Sequence, residues 1–174
     1  EIYRKLGFDY IEPELREMTG ELEASRKGCL PDLVEFEDLR GDLQIQTDWT
    51  DGENTIEEYA KAAEKIGLEY IAITDHTKSL AMTGGADEAK LMRQMKEIDR
   101  INSKLQRQNS KLRLLKGAEV NIMKDGTLDI DNRVLAKLDV VGAAVHSHFN
   151  LSREDQTNRI MRAMNNPHVD IIFH

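Results

Sequence analysis

The chain has 174 residues, with 24 Lys plus Arg against 32 Asp plus Glu, a formal charge of -8, 40% hydrophobic residues and 5% aromatic ones, which is one domain's worth of ordinary globular protein. The acidic balance excludes the broad positive field of a stand-alone nucleic-acid binder, so any contact with DNA must be local or metal-mediated. Cys29 is the only cysteine, which rules out an intrachain disulfide and a Cys-based metal site. No apolar run approaches the about 20 residues of a bilayer span. The first residues, Glu1-Ile2-Tyr3-Arg4-Lys5, lack the apolar stretch of a signal peptide. A cytoplasmic protein with no membrane partner is expected.

Residues 1–40 are dense in charge and broken by Pro13, Gly20, Gly28 and Pro31, a composition that reads as a linker or the end of a preceding domain. The domain proper is placed at 41–174. Its first strand is predicted at Leu43-Gln44-Ile45-Gln46-Thr47, followed by a polar loop and a helix from Thr55 to Ile66 stopped by Gly67. Further strands are predicted at 70–74, 112–122, 140–145 and 170–173, with helices at 86–109 and 153–165. The segment 128–138 shows no clear period. The start at Glu1 and the strand-like end Val169 to His174 make a fragment of a longer protein the expectation.

Strands separated by helices of ten or more residues need crossover connections, which favour a parallel sheet covered by helices. Neither the dinucleotide nor the P-loop glycine fingerprint is present, and an α/β barrel is preferred to an open sheet. His76, His146, His148 and His174 fall at or just past the C-terminal ends of predicted strands, where a parallel barrel carries its active site. Glu119 stands late in the third strand and Asp51 in the loop after the first. Imidazoles and carboxylates converging on one rim suit zinc, manganese or iron, and a carboxylate can bridge two ions that share charge on a phosphoryl oxygen.

Gly41 to Thr47 with Thr50-Asp51-Gly52, then Ile73-Thr74-Asp75-His76, Gly117-Ala118-Glu119 and Val145 to Leu151 resemble successive motifs of the polymerase and histidinol phosphatase (PHP) domain. The leader Leu6-Gly7-Phe8 to Arg16, together with Phe149-Asn150-Leu151, Gln156-Thr157 and Arg159, is similar to the PHP domain at the C-terminus of bacterial and archaeal family X DNA polymerases. The resemblance implies a distorted seven-stranded βα (TIM-like) barrel, with only the first five or so strands in this chain and the C-terminal end truncated. It further implies up to three divalent ions, zinc or manganese, and hydrolysis of phosphoesters at DNA 3′ ends in DNA repair, as a 3′-5′ exonuclease or 3′-phosphatase. By the same resemblance Glu119, His146 and His76 are the catalytic core. One metal site maps onto Glu119, His146 and His174, and another, in part, onto Asp51 and His76.

Two departures bear on that picture. Where the family has a His-x-His pair this chain has Gln44-Ile45-Gln46, and an amide is a poorer partner than imidazole for a borderline ion. That site is therefore expected to be weak or empty. The family's late Asp-x-His would lie beyond His174, so the isolated chain is expected to be inactive as a nuclease and to self-associate through its open barrel edge. The alternative to an enzyme is a degenerate scaffold for the polymerase core with at most one bound ion. Lys78 and Arg159 are candidates for contacting a substrate phosphate, and Trp49 for stacking on an unpaired base. Lys90, Arg93, Lys96, Arg100, Lys104, Arg107 and Lys111 share a helix face, read here as a solvated face rather than a rail for DNA.

Overall fold

The fold was obtained as a computed structural model that describes residues 1–174, the side chain of Ala81 excepted. Residues 1–39 and 40–174 form two units. The first holds two short helices, α1 (Ile2–Lys5) and α2 (Glu21–Arg26), and leans on cation–π clamps. The Arg16 guanidinium lies 5.8 Å from the Tyr3 ring centroid and 5.5 Å from that of Tyr10. It also donates to the Ile11 carbonyl at 2.9 Å. Arg26 caps the Phe8 ring at 4.8 Å.

The second unit alternates β1 (Gly41–Ile45), α3 (Ile56–Ile66), β2 (Tyr70–Ile73), α4 (Glu88–Arg107), β3 (Arg113–Asn121), α5 (Asn132–Leu135), β4 (Val140–Ala144), α6 (Arg153–Met164) and β5 (Ile171–Ile172). Each long helix starts where the sequence supplies a cap. Thr55 accepts from the Glu58 amide while Glu58 reaches back to Thr55. Asp87 accepts from the Lys90 amide at 2.7 Å, and Ser152 from that of Asp155 at 3.1 Å. Gly67, at φ +83°, ends α3 in the left-handed conformation that glycine adopts without strain. The unassigned stretch 128–138 contains only the one-turn α5, capped by Asp131.

All four strand pairings are parallel and the order is β1-β2-β3-β4-β5. An order that never reverses keeps successive right-handed crossovers on one side, and the sheet curls into a half-barrel with α3, α4 and α6 outside. One outer cluster joins Ile56, Ala60 and Ala63 of α3 to Ile71, Ile73, Leu112 and Leu114, under Ile98, Ile101 and Leu105 of α4. A second packs Leu91 and Met95 on Ala118, Val120, Ile122, Val141 and Ala143. Ile98 is fully buried, and truncating such a residue to Ala costs about 2–5 kcal/mol.

With the even residues of β3 turned to the helices, Gly117, Glu119 and Asn121 face the concave side. Gly117 is required by close approach, since a Cβ there would lie 2.8 Å from the Ile73 carbonyl oxygen. The first strand differs from expectation: its ladder covers 41–45, not 43–47. Its register slips between Asp42 and Ile45, and side chains just past the end of the next strand take over the backbone donors. Thr74 Oγ1 accepts from Ile45 N at 2.9 Å and Asp75 from Thr47 N at 2.7 Å. No helix among the described residues is long and apolar enough to cross a membrane.

Candidate metal centre

The inward-facing residues of successive strands converge on Glu119, whose side chain is fully buried. Its two oxygens face different chemistries. Oε1 lies 3.0 Å from His146 Nε2, 3.1 Å from His174 Nε2 and 3.6 Å from His76 Nε2. Oε2 accepts from Gln44 Nε2 at 2.9 Å and from Gln46 Nε2 at 3.0 Å. Gln46 Nε2 also lies 3.3 Å from the Thr74 carbonyl; with two acceptors opposite, its amide presents N–H rather than oxygen. The His76 and His146 rings meet edge to face with centroids 5.3 Å apart, and those of His146 and His174 are tilted with centroids 5.4 Å apart.

Charge is distributed unevenly around this carboxylate. Burial alone would raise the pKa of Glu119, but the hydrogen bonds of His76 and of the Gln44 amide and the charge of His76 outweigh it and hold the group at about 2. His76, between two carboxylates, is raised to about 9, by Glu119 first and by Asp51 besides. Its Nδ1 lies 2.8 Å from Asp51 Oδ1, a closer contact than the 3.6 Å to Glu119. For Asp51 the cost of burial is in turn outweighed by this contact and the pKa is lowered. Desolvation wins at His146, lowering its pKa and favouring neutral imidazole, the form that ligates metals.

One carboxylate oxygen and two imidazole nitrogens, from His76, Glu119 and His146, lie within 4.8 Å of one another. This mixed oxygen and nitrogen donor set fits a divalent cation. His174 reaches the same oxygen from a position whose side chain is 62% exposed. Asp51 meets the far nitrogen of His76, so it orients that ring from outside the cluster.

The other sequence candidates lie elsewhere. Lys78 is exposed and paired with Glu88 at 2.7 Å. Trp49 is half-buried and packs on the outer cluster beside Ile45 and Tyr59, as a loop anchor would. Arg159 is not a surface cation: it is 2% exposed and donates to the Ser147 carbonyl at 2.9 Å. Its Nε and Nη1 meet no acceptor among the described residues.

Sequence reasoning missed the supports. Buried Asp75 takes Thr47 N and Oγ1 at 2.7 Å each, together with Thr50 Oγ1 and Gln94 Nε2, which fixes the loop carrying Asp51. Asn121 Oδ1 lies 2.8 Å from His146 Nδ1. Its position was findable, because residues two apart on a strand face the same way and Asn121 follows Glu119 by two.

Residues 42–173 match the family model of the PHP domain. The chain belongs to the PHP domain family. Over all 174 residues the chain is 40% identical to the DNA polymerase/3'-5' exonuclease PolX of Bacillus subtilis, and it spans 30% of that protein's length. It is also 36% identical over 125 residues to a probable phosphatase of Caldanaerobacter subterraneus subsp. tengcongensis, where the match covers 70% of this chain and 45% of the relative. A probable phosphatase of Syntrophotalea carbinolica is 29% identical over 124 residues, 70% of this chain and 48% of the relative.

Proposed function

We propose that this PHP domain is the metal-dependent phosphoesterase part of a family X DNA polymerase and hydrolyses phosphodiester or phosphomonoester bonds at DNA 3′ ends. The observation that carries this reading is the three-donor cluster of His76, Glu119 and His146 at the C-terminal ends of successive parallel strands. The DNA 3′ end as substrate is supported by the 40% identity, over the whole chain, to a relative named as a 3'-5' exonuclease. Zinc or manganese suits the donor set. Such an ion, when bound, supplies Lewis acidity that stabilises charge on a phosphoryl oxygen.

The chain's own residues divide the remaining work. Glu119 Oε1 and the Nε2 atoms of His76 and His146 would hold the ion. Asp51 orients His76 through Nδ1. Gln44 and Gln46 hold Oε2 with N–H donors, so this oxygen is engaged and Glu119 does not bridge two ions. The site is then a one-ion site, fewer than the three the family can hold.

That same glutamine pair favours the second reading, in which the domain serves as a scaffold for the polymerase core. The two separate on hydrolysis by the protein that carries this domain, stripped and reloaded with zinc or manganese. Phosphate released from a 3′-phosphorylated oligonucleotide, or nucleotides released from an unblocked strand, should appear with the ion and vanish in His146→Ala. Bound ion without either product would establish the scaffold.

A further inference from the structure

Asn121 and Asp129 are nine-tenths or more buried and take no part in the donor cluster, yet their hydrogen bonds reach it. Asp129 arrives through the turn after β3 and is surrounded by donors. Its Oδ1 accepts from Thr77 Oγ1 at 2.8 Å and from Asn121 N at 3.0 Å. Its Oδ2 accepts from Ser79 N at 2.9 Å and from Asn121 Nδ2 at 2.7 Å. Thr77 Oγ1 also lies 3.0 Å from Asn121 Nδ2.

These contacts decide which way the Asn121 amide points. Turned over, its oxygen would sit 2.7 Å from a carboxylate oxygen with no proton between them, an arrangement that costs about 1–3 kcal/mol or more when buried. So Nδ2 faces Asp129, and Oδ1 faces His146 Nδ1 at 2.8 Å. An amide oxygen only accepts. His146 must therefore carry a proton on Nδ1, which in the neutral ring leaves the lone pair of Nε2 directed at the cluster, 3.0 Å from Glu119 Oε1. Two acceptors at that separation are reconciled by a shared proton or by a metal cation.

We propose that Asp129 and Asn121 are positioning residues that lock His146 in its Nδ1–H tautomer, so that Nε2 is presented as a ligand before any ion arrives. Support of a ligating imidazole through its second nitrogen is a general device of metal sites, and its loss weakens metal binding by about 10- to 100-fold. The effect on affinity rests on the reading of the cluster as a metal centre. The tautomer itself does not.

The test uses this chain with 15N-labelled histidine, stripped of metal, at a pH about two units above the ordinary imidazole value of about 6.5. Two-bond proton–nitrogen correlations report which ring nitrogen bears the proton. His146 in the wild-type chain is expected as Nδ1–H, and in Asn121→Ala and Asp129→Asn it should move toward Nε2–H, donating to Glu119. An Nε2–H tautomer in the wild type overturns the proposal without any variant having to fold. An unmoved tautomer in folded Asp129→Asn overturns the role of Asp129. Zinc affinity, read by competition with a chromophoric chelator, should fall about 10- to 100-fold in the same variants, and unchanged affinity alongside a shifted tautomer refutes the positioning role. If the wild type binds no zinc while the tautomer still responds, the metal reading fails and the lock stands.

Discussion

Glu119 is approached from two sides that are built differently. On the β3 and β4 side the register is unbroken from Gly117–Val140 to Asn121–Ala144, and it delivers an imidazole whose far nitrogen is backed by a buried amide and carboxylate. On the β1 side the register slips, and two glutamines deliver N–H donors to the other oxygen. A regular ladder with a buried support suits a ligand held with its lone pair inward, whereas the amides can stabilise the carboxylate but present no lone pair to an ion. The carboxylate is thus divided between a histidine half and an amide half.

The largest effect expected follows from removing what the two halves share. Glu119→Ala should bring cation content, measured by elemental analysis, to background. It should also destabilise the metal-free chain by about 3–5 kcal/mol, as expected when one partner of a buried charged cluster is lost, read from urea unfolding. An equivalent of metal retained by this variant would show that the imidazoles suffice and would break the comparison.

Next in size is the pH dependence of the metal-free chain. His76 titrates at about 9 in the folded state against 6.5 ordinarily, so its pairing stabilises fully below pH 6.5 and the gain is lost as pH rises toward 9. Glu119 lies at about 2 against 4.5, so its share is present above pH 4.5 and is lost as pH falls toward 2. Both describe one cluster and are not summed; the alkaline loss is about 3 kcal/mol at 1.36 kcal/mol per pKa unit. Stability that stays flat from pH 6.5 to 9 would mean that folding does not raise the pKa of His76, and its contrast with His146 would fail.

Much of this was readable before the structure. Helix starts were readable to within a residue or two, at 55, 86 and 153 against observed starts at 56, 88 and 153, because the signals that start a helix are local chemistry. The rim histidines followed from their places after strands. The first strand was misplaced by two residues because its alternating pattern continues into Gln46 and Thr47, while the donors there are taken by Thr74 and Asp75, residues distant in sequence. The same kind of distance hid Asp129, which joins the centre only after a turn through an aperiodic segment. It also hid the burial of Arg159, which periodicity on α6 does not reveal. That the amides of Gln44 and Gln46 would turn N–H toward Glu119 depends on the opposing acceptors, and those exist only once β1, β2 and β3 are assembled.

The comparison sharpens further at the amide half. Gln46→His replaces one of the two donors to Oε2 with an imidazole on the same inward face, and metal content should rise by about one equivalent over the wild type, since an oxygen left with the Gln44 amide alone regains a lone pair for a second ion. Unchanged content would locate the deficit in the slipped register of β1 rather than in the side chain.

The smallest effect is expected on α4. Two of its basic residues are engaged with neighbouring acids: Arg100 bonds Glu57 at 2.8 Å and Glu97 at 2.7 Å, and Lys104 lies 3.6 Å from Glu57. A guanidinium that ties α3 to α4 has its partners already and gains little from a phosphate. Replacing Lys96, Arg100 and Lys104 by Gln should therefore leave the salt dependence of single-stranded DNA binding unchanged in the protein carrying this domain. A slope of log affinity against log salt that falls by about 2, at about 0.7 per phosphate contact, would instead make this face a track for the strand and would move part of substrate recognition from the rim to the helical exterior.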